Sequence, residues 1–188
     1  MSARLTRRTL ILGLTAAIAA PRTWAQARGD SARFQIEVLV FRQPGPAPRA
    51  TPVPVRPAAI TSPGRVEVLA ADGRWQLAAA REALARRGYG TLGHAAWTAT
   101  VPTNGRTTAR LEDVLKPGSP LAGTIAVQRS QYLFLGVDID YVSSADTVYG
   151  VRERRRVKFG ERHYFDHPAY GAIAIVTPAP GESPTVAD

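Results

Sequence analysis

The chain has 188 residues, a formal net charge of +9 and no cysteine. Without thiols, disulfides, a cysteine nucleophile, lipoprotein attachment and soft thiolate metal sites are excluded. A chain of this length suits one domain with its own hydrophobic core.

Residues 1–27 read as a secretory signal peptide. Arg7-Arg8 precede an apolar, alanine-rich run that ends at Ala20, and Ala25-Gln26-Ala27 supplies a small-x-small cleavage site. The run falls short of the roughly 20 apolar residues that a membrane-spanning helix needs. The arginine pair fits the twin-arginine route, and the general secretory route is equally open. The processed protein then starts near Arg28 and works in a periplasm. Four arginines (Arg4, Arg7, Arg8 and Arg22) and no acid lie in this segment, so cleavage lowers the charge from +9 to +5. The remaining positive residues are arginines apart from Lys116 and Lys158. Guanidinium forks suit carboxylate or phosphate partners, although a modest excess is also what a solvated surface carries. Export argues against nucleic acid as the partner.

Phe34 to Phe41 alternates with period two and is apolar on one face and partly on the other, which predicts a central strand. Gln43 to Pro63 is proline-rich and reads as a long surface connection within the domain. Trp75 to Arg87 has helical spacing, with Leu77, Ala80 and Leu84 on one face and Gly88 as the stop. Tyr89 to Val101 reads as a strand, Pro102 to Gly105 as a turn, and Ala109 to Val114 as a short helical or irregular piece. Gly123 to Arg129 and Tyr132 to Val142 are strands joined at Ser130-Gln131. In the second, Leu133, Leu135, Val137, Ile139 and Tyr141 point one way, with Phe134, Asp138 and Asp140 on the other face. Val148 to Tyr164 reads as one long return strand whose arginines face Asp138 and Asp140. Ala172 to Thr177 is the last strand, and residues 179–188 form a flexible tail. The implied class is α+β, a mainly antiparallel sheet with a ferredoxin-like core and extra hairpin strands, covered by one long helix. Residues 28–178 form its single domain.

Four segments resemble the CsiV family of peptidoglycan-binding proteins. They are Gln35-Ile-Glu-Val-Leu-Val-Phe41, Leu92-Gly-His-Ala-Ala-Trp97, Ser130-Gln-Tyr-Leu-Phe-Leu135 and Glu161-Arg-His-Tyr-Phe-Asp-His-Pro-Ala-Tyr-Gly-Ala-Ile-Ala-Ile175. Within the last, His163-Tyr-Phe-Asp-His-Pro-Ala-Tyr-Gly171 is the most specific. The resemblance implies a non-enzymatic periplasmic accessory factor without a cofactor. It would bind peptidoglycan and support a class A penicillin-binding protein through that synthase's outer-membrane lipoprotein activator. The region between first strand and helix is shorter here than in the family members.

Arg154, Arg156, Arg162, His163 and Tyr164 are the candidate ligand-binding residues, because guanidinium forks and an aromatic face suit sugars and carboxylate-bearing peptides. Asp166, Pro168 and Gly171 read as a structural turn, with Asp166 accepting backbone N–H groups and Phe165 and Tyr170 packed beneath the sheet. The competing reading is a periplasmic hydrolase or metal enzyme using His163, Asp166 and His167, with His94 as a further ligand. Asp138 and Asp140, on one strand face, fit ion pairing better than hydrolysis.

Overall fold

The computed structural model describes residues 31–45, 65–71, 75–143 and 147–182. The predicted signal peptide, the proline-rich connection beyond Gly45 and the tail past residue 182 lie outside them. Nine strands and two short helices follow in order. They are β1 (Ser31–Arg42), β2 (Val66–Val68), α1 (Ala78–Arg86), β3 (Gly90–Pro102), β4 (Arg106–Arg110), α2 (Leu111–Val114), β5 (Leu121–Arg129), β6 (Leu133–Val142), β7 (Val148–Val157), β8 (Arg162–His167) and β9 (Tyr170–Pro178).

The strands form two antiparallel sheets. One has five strands in the order β2-β3-β1-β9-β8, the other four in the order β4-β5-β6-β7. The four-stranded sheet is a meander of consecutive strands, whereas the five-stranded sheet joins both ends of the chain, with β1 between β3 and β9. Period-two alternation gives each sheet an apolar face, and these faces share one core. Ile36, Trp97 and Phe165 enter it from the five-stranded sheet and Ile125, Leu135 and Ile139 from the other, all at most 1 % exposed.

The α+β expectation of a single sheet under one long helix is therefore corrected: the protein is mainly two packed antiparallel sheets. The predicted helix spans nine residues, Ala78 to Arg86, and Trp75 to Leu77 lead into it as a turn. Gly88, at φ 84°, follows its end. Nine helical residues extend about 14 Å, less than the roughly 19 Å across five strands. The helix and the turn before it cover a small patch, Leu39, Phe41, Ile173 and Ile175, through Leu77, Ala80 and Leu84, with Tyr89 beside it. The remaining apolar surface needs the second sheet.

The long return strand is corrected as well. It breaks at residues 158–161, where Gly160 has φ 74°, and the chain crosses from the four-stranded sheet into the five-stranded one. The other crossing is the Pro102–Gly105 turn, which carries a Gly105 N–H to Pro102 carbonyl bond of 3.0 Å and Asn104 at φ 54°. β2 and β4 were not anticipated. No helix among the described residues is long and apolar enough to cross a membrane.

Candidate functional site

The outward face of the four-stranded sheet is uncovered by any described element and forms a shallow hollow of about 330 Å³. Gln128 of β5, Phe134 and Gly136 of β6, Arg152 and Arg154 of β7, and Arg106 of β4 line it. The register produces this pattern, placing Arg156 opposite Phe134, Arg154 opposite Gly136 and Arg152 opposite Asp138. Glycine at 136 leaves room for long arginine side chains to reach diagonally over the neighbouring rings. The Arg154 guanidinium carbon lies 4.0 Å from the Phe134 ring centre, and that of Arg156 lies 3.6 Å from that of Tyr132. Such contacts contribute about 0.5–1 kcal/mol each at exposed sites. Arg154 also donates to Gln128 Oε1 at 3.1 Å.

The three outward arginines of β7 are electrostatically unequal. Arg152 bridges two acids, with Nε 3.2 Å from Asp138 and Nη2 2.9 and 3.2 Å from the two oxygens of Asp140. Gly150 keeps that space open, since a Cβ there would lie 2.2 Å from Arg152 Nη1. The expected cross-strand pairing of Asp138 and Asp140 with an arginine is thus present, and Arg152 supplies it. Arg154 and Arg156 pair with no carboxylate among the described residues. Their charge is available to an anionic ligand.

The five sequence-predicted residues do not converge. Arg154 and Arg156 lie on this face. Arg162, exposed, and Tyr164, 46 % exposed, lie on β8 and point from the outer face of the other sheet, opposite Ile175 and Ile173. Tyr164 stacks on Phe41 at 6.2 Å and donates to Asp166 Oδ1 at 2.7 Å. Burial, then the bond and charge of Asp166, push its pKa up to about 12. His163 lies on the opposite face of β8, and its Nε2 is buried without a partner. Burial lowers its pKa, Arg155 acts in the same direction, and Glu161 opposes both.

Arg155 links the two sheets here and was not singled out from the sequence. It lies 4.2 Å over the Phe165 ring, donates to the Tyr164 carbonyl at 3.0 Å and pairs with Glu153. The available signal was the run Arg154-Arg155-Arg156 itself, because a strand must send its middle residue to the other face. The same alternation carries Tyr132 and Phe134 to the arginine face.

The His163, Asp166 and His167 trio does not assemble. Three residues of strand lie between the two histidines, which sets them about 13 Å apart, and Asp166 points to the other face. No group of three potential metal ligands occurs among the described residues. The predicted turn is present, as Pro168 and Ala169 join β8 to β9, but its cap differs from expectation. His167 Nδ1 accepts the Ala169 N–H at 3.1 Å, while Asp166 takes the Tyr164 hydroxyl and the Gln43 amide at 3.3 Å. Phe165 and Tyr170 are fully buried, and the Tyr170 hydroxyl donates to the Ile139 carbonyl at 2.6 Å.

Residues 66–179 match a protein family described as "Peptidoglycan-binding protein, CsiV". The matched span contains the whole four-stranded sheet and its arginine–aromatic face, and it leaves out β1. No curated protein and no solved structure matches the chain. The matched residues make up more than half of the sequence, and the chain belongs to the CsiV family of peptidoglycan-binding proteins.

Proposed function

We propose that this protein binds peptidoglycan through the outward face of the four-stranded sheet, as a non-enzymatic accessory factor in the periplasm. The observation that carries the reading is the pair of arginines without carboxylate partners, Arg154 and Arg156, lying over Phe134 and Tyr132 beside the Gly136 hollow. Peptidoglycan presents sugar rings with apolar faces and stem peptides with carboxylates. The rings suit an aromatic surface, and the carboxylates suit a guanidinium fork. A hollow this shallow matches an extended polymer lying across strands better than a small molecule enclosed in a cleft. Export by the N-terminal segment would bring the protein to that polymer. Support of a class A penicillin-binding protein, through its outer-membrane lipoprotein activator, is the physiological role that the family resemblance favours.

Cosedimentation with purified sacculi at moderate salt tests the binding. The protein should pellet with the sacculi, and the Arg154→Ala/Arg156→Ala variant should stay largely in solution. Recovery of the unaltered protein entirely in the supernatant would remove the binding claim.

A further inference from the structure

On the other side of the molecule, Glu37 of β1 is a carboxylate only 1 % exposed. It lies beneath the entry to α1. Its Oε2 accepts the Gln76 N–H at 2.7 Å, and its Oε1 accepts the Leu77 N–H at 2.9 Å and meets His94 Nε2 at 2.8 Å. Capping the helix accounts for the two amide bonds. It does not account for His94, whose side chain is 4 % exposed and whose Nδ1 is buried with no hydrogen-bond partner. The carboxylate at Nε2 selects the tautomer with Nε2–H directed at Glu37, and in that tautomer Nδ1 is an acceptor awaiting a donor.

His94 forms part of the wall of a second cavity of about 330 Å³, between the start of α1 and the loop joining α2 to β5. Trp75 meets the His94 ring at 4.6 Å and 74° and is itself fixed by a 3.0 Å bond from its indole N–H to the Ala70 carbonyl. Arg81 and Lys116 line the same cavity, and neither has a carboxylate partner among the described residues. The volume falls at the lower end of the roughly 300–1,000 Å³ range of small-molecule sites. An aromatic wall, two cations and one unpartnered buried acceptor define a consistent ligand chemistry.

We infer that this cavity is a binding site for a small carboxylic acid bearing a neighbouring N–H or O–H donor. The donor meets His94 Nδ1, the carboxylate lies between Arg81 and Lys116, and the apolar or sugar face rests on Trp75. Glu37 is the positioning residue that orients the imidazole. Acylated amino sugars with an acidic side arm and N-acyl amino acids share this chemistry. The inference does not depend on the sheet-face reading, because the two sites have no lining residue in common.

The test is an NMR titration of the isotopically labelled full chain with N-acetylmuramic acid, with N-acetylalanine and with the uncharged N-acetylglucosamine. The His94 ring and Trp75 indole signals should move saturably with at least one acid and stay in place with the neutral sugar. The acid that binds more tightly identifies a glycan or a peptide source. Arg81→Ala, on an exposed position of the helix, should weaken binding about tenfold or more. Glu37→Gln, which keeps one acceptor oxygen and turns an NH2 group towards the other partner, should do the same. The proposal is overturned if neither acid moves these signals, or if the neutral sugar moves them equally. It also fails if Arg154→Ala/Arg156→Ala abolishes the titration, since the cavity would then not be a separate site. A normal titration in a protein that ignores sacculi would sink the sheet-face reading alone.

Discussion

The two outer faces of this molecule solve the same problem in opposite ways. On the five-stranded sheet, Leu39, Phe41 and Ile175 point outward and are buried under α1. On the four-stranded sheet nothing described covers the strands, and the two outward aromatic rings are shielded by the arginines beside them. A guanidinium lying on a ring removes apolar area from water while keeping its own edge hydrated, so this face stays soluble without a lid. The comparison teaches that arginine here does a structural task, covering a ring, while its polar edge stays open to solvent. The helix side takes its stability from packing.

Breaking the covered face should cost most. Leu39→Ala should lose about 2–5 kcal/mol in urea unfolding, since it empties a fully buried site. Phe134→Ala on the open face should lose under about 1 kcal/mol, little more than its ring–guanidinium contact. Equal losses would erase the contrast.

Glycine substitutions sharpen it next. A Cβ at Gly171 would lie 2.7 Å from Phe41 and 2.8 Å from Tyr164, so Gly171→Ala should destabilise by about 1–3 kcal/mol in the same assay. At Gly136 the nearest atoms are 3.9 Å away. Gly136→Ala should leave stability nearly unchanged and weaken sacculus binding by partly filling the hollow.

Arg154→Ala/Arg156→Ala should lower sacculus affinity about tenfold, worth roughly 1.4 kcal/mol, with an unchanged circular dichroism spectrum. Arg162→Ala, on the opposite outer face, should change affinity by less than about twofold. A larger effect at Arg162 would move the binding face to the other sheet.

The smallest expected effect is a pH dependence at the edge between the sheets. His163 has a folded pKa below its ordinary value of 6.5, mainly through burial. The unfolded chain therefore takes up a proton first as pH falls, and stability is lost from about pH 6.5 down towards the folded pKa. His167, also lowered by burial with Asp166 opposing, acts in the same direction. The melting temperature should drop modestly between pH 7.5 and 5.5, and His163→Gln should flatten part of that drop. An unchanged slope in the variant would remove His163 from the account.

Local pattern carried much of this structure. Alternation placed Leu133 to Tyr141 inward, put Asp138 and Asp140 within reach of a cross-strand arginine and located the β8–β9 turn. What stayed hidden was which sheet each strand joins. Lys158 to Glu161 looks like a continuation of a charged strand, and only Gly160 at φ 74° and the competing partner β9 turn the chain away. That single break separated Arg154 and Arg156 from Arg162 and Tyr164, so a site contiguous in sequence became two opposed surfaces. Glu37 was equally illegible: inside an apolar strand it reads as a solvent-facing residue, and its partners lie at positions 76, 77 and 94.

The placement of β1 has a kinetic consequence. The β4–β7 meander pairs only neighbours in sequence, so its loops are cheap to close and it can form early. β1 must wait for β9, emerging more than 120 residues later, before the strands on both its sides are in place. In the interval it exposes an apolar edge rich in Val, Leu and Phe, the kind of segment that recruits other chains. A chain held unfolded until fully translocated would spend the least time in that state, and refolding from denaturant should show a fast phase in the meander followed by a slower one that completes the five-stranded sheet.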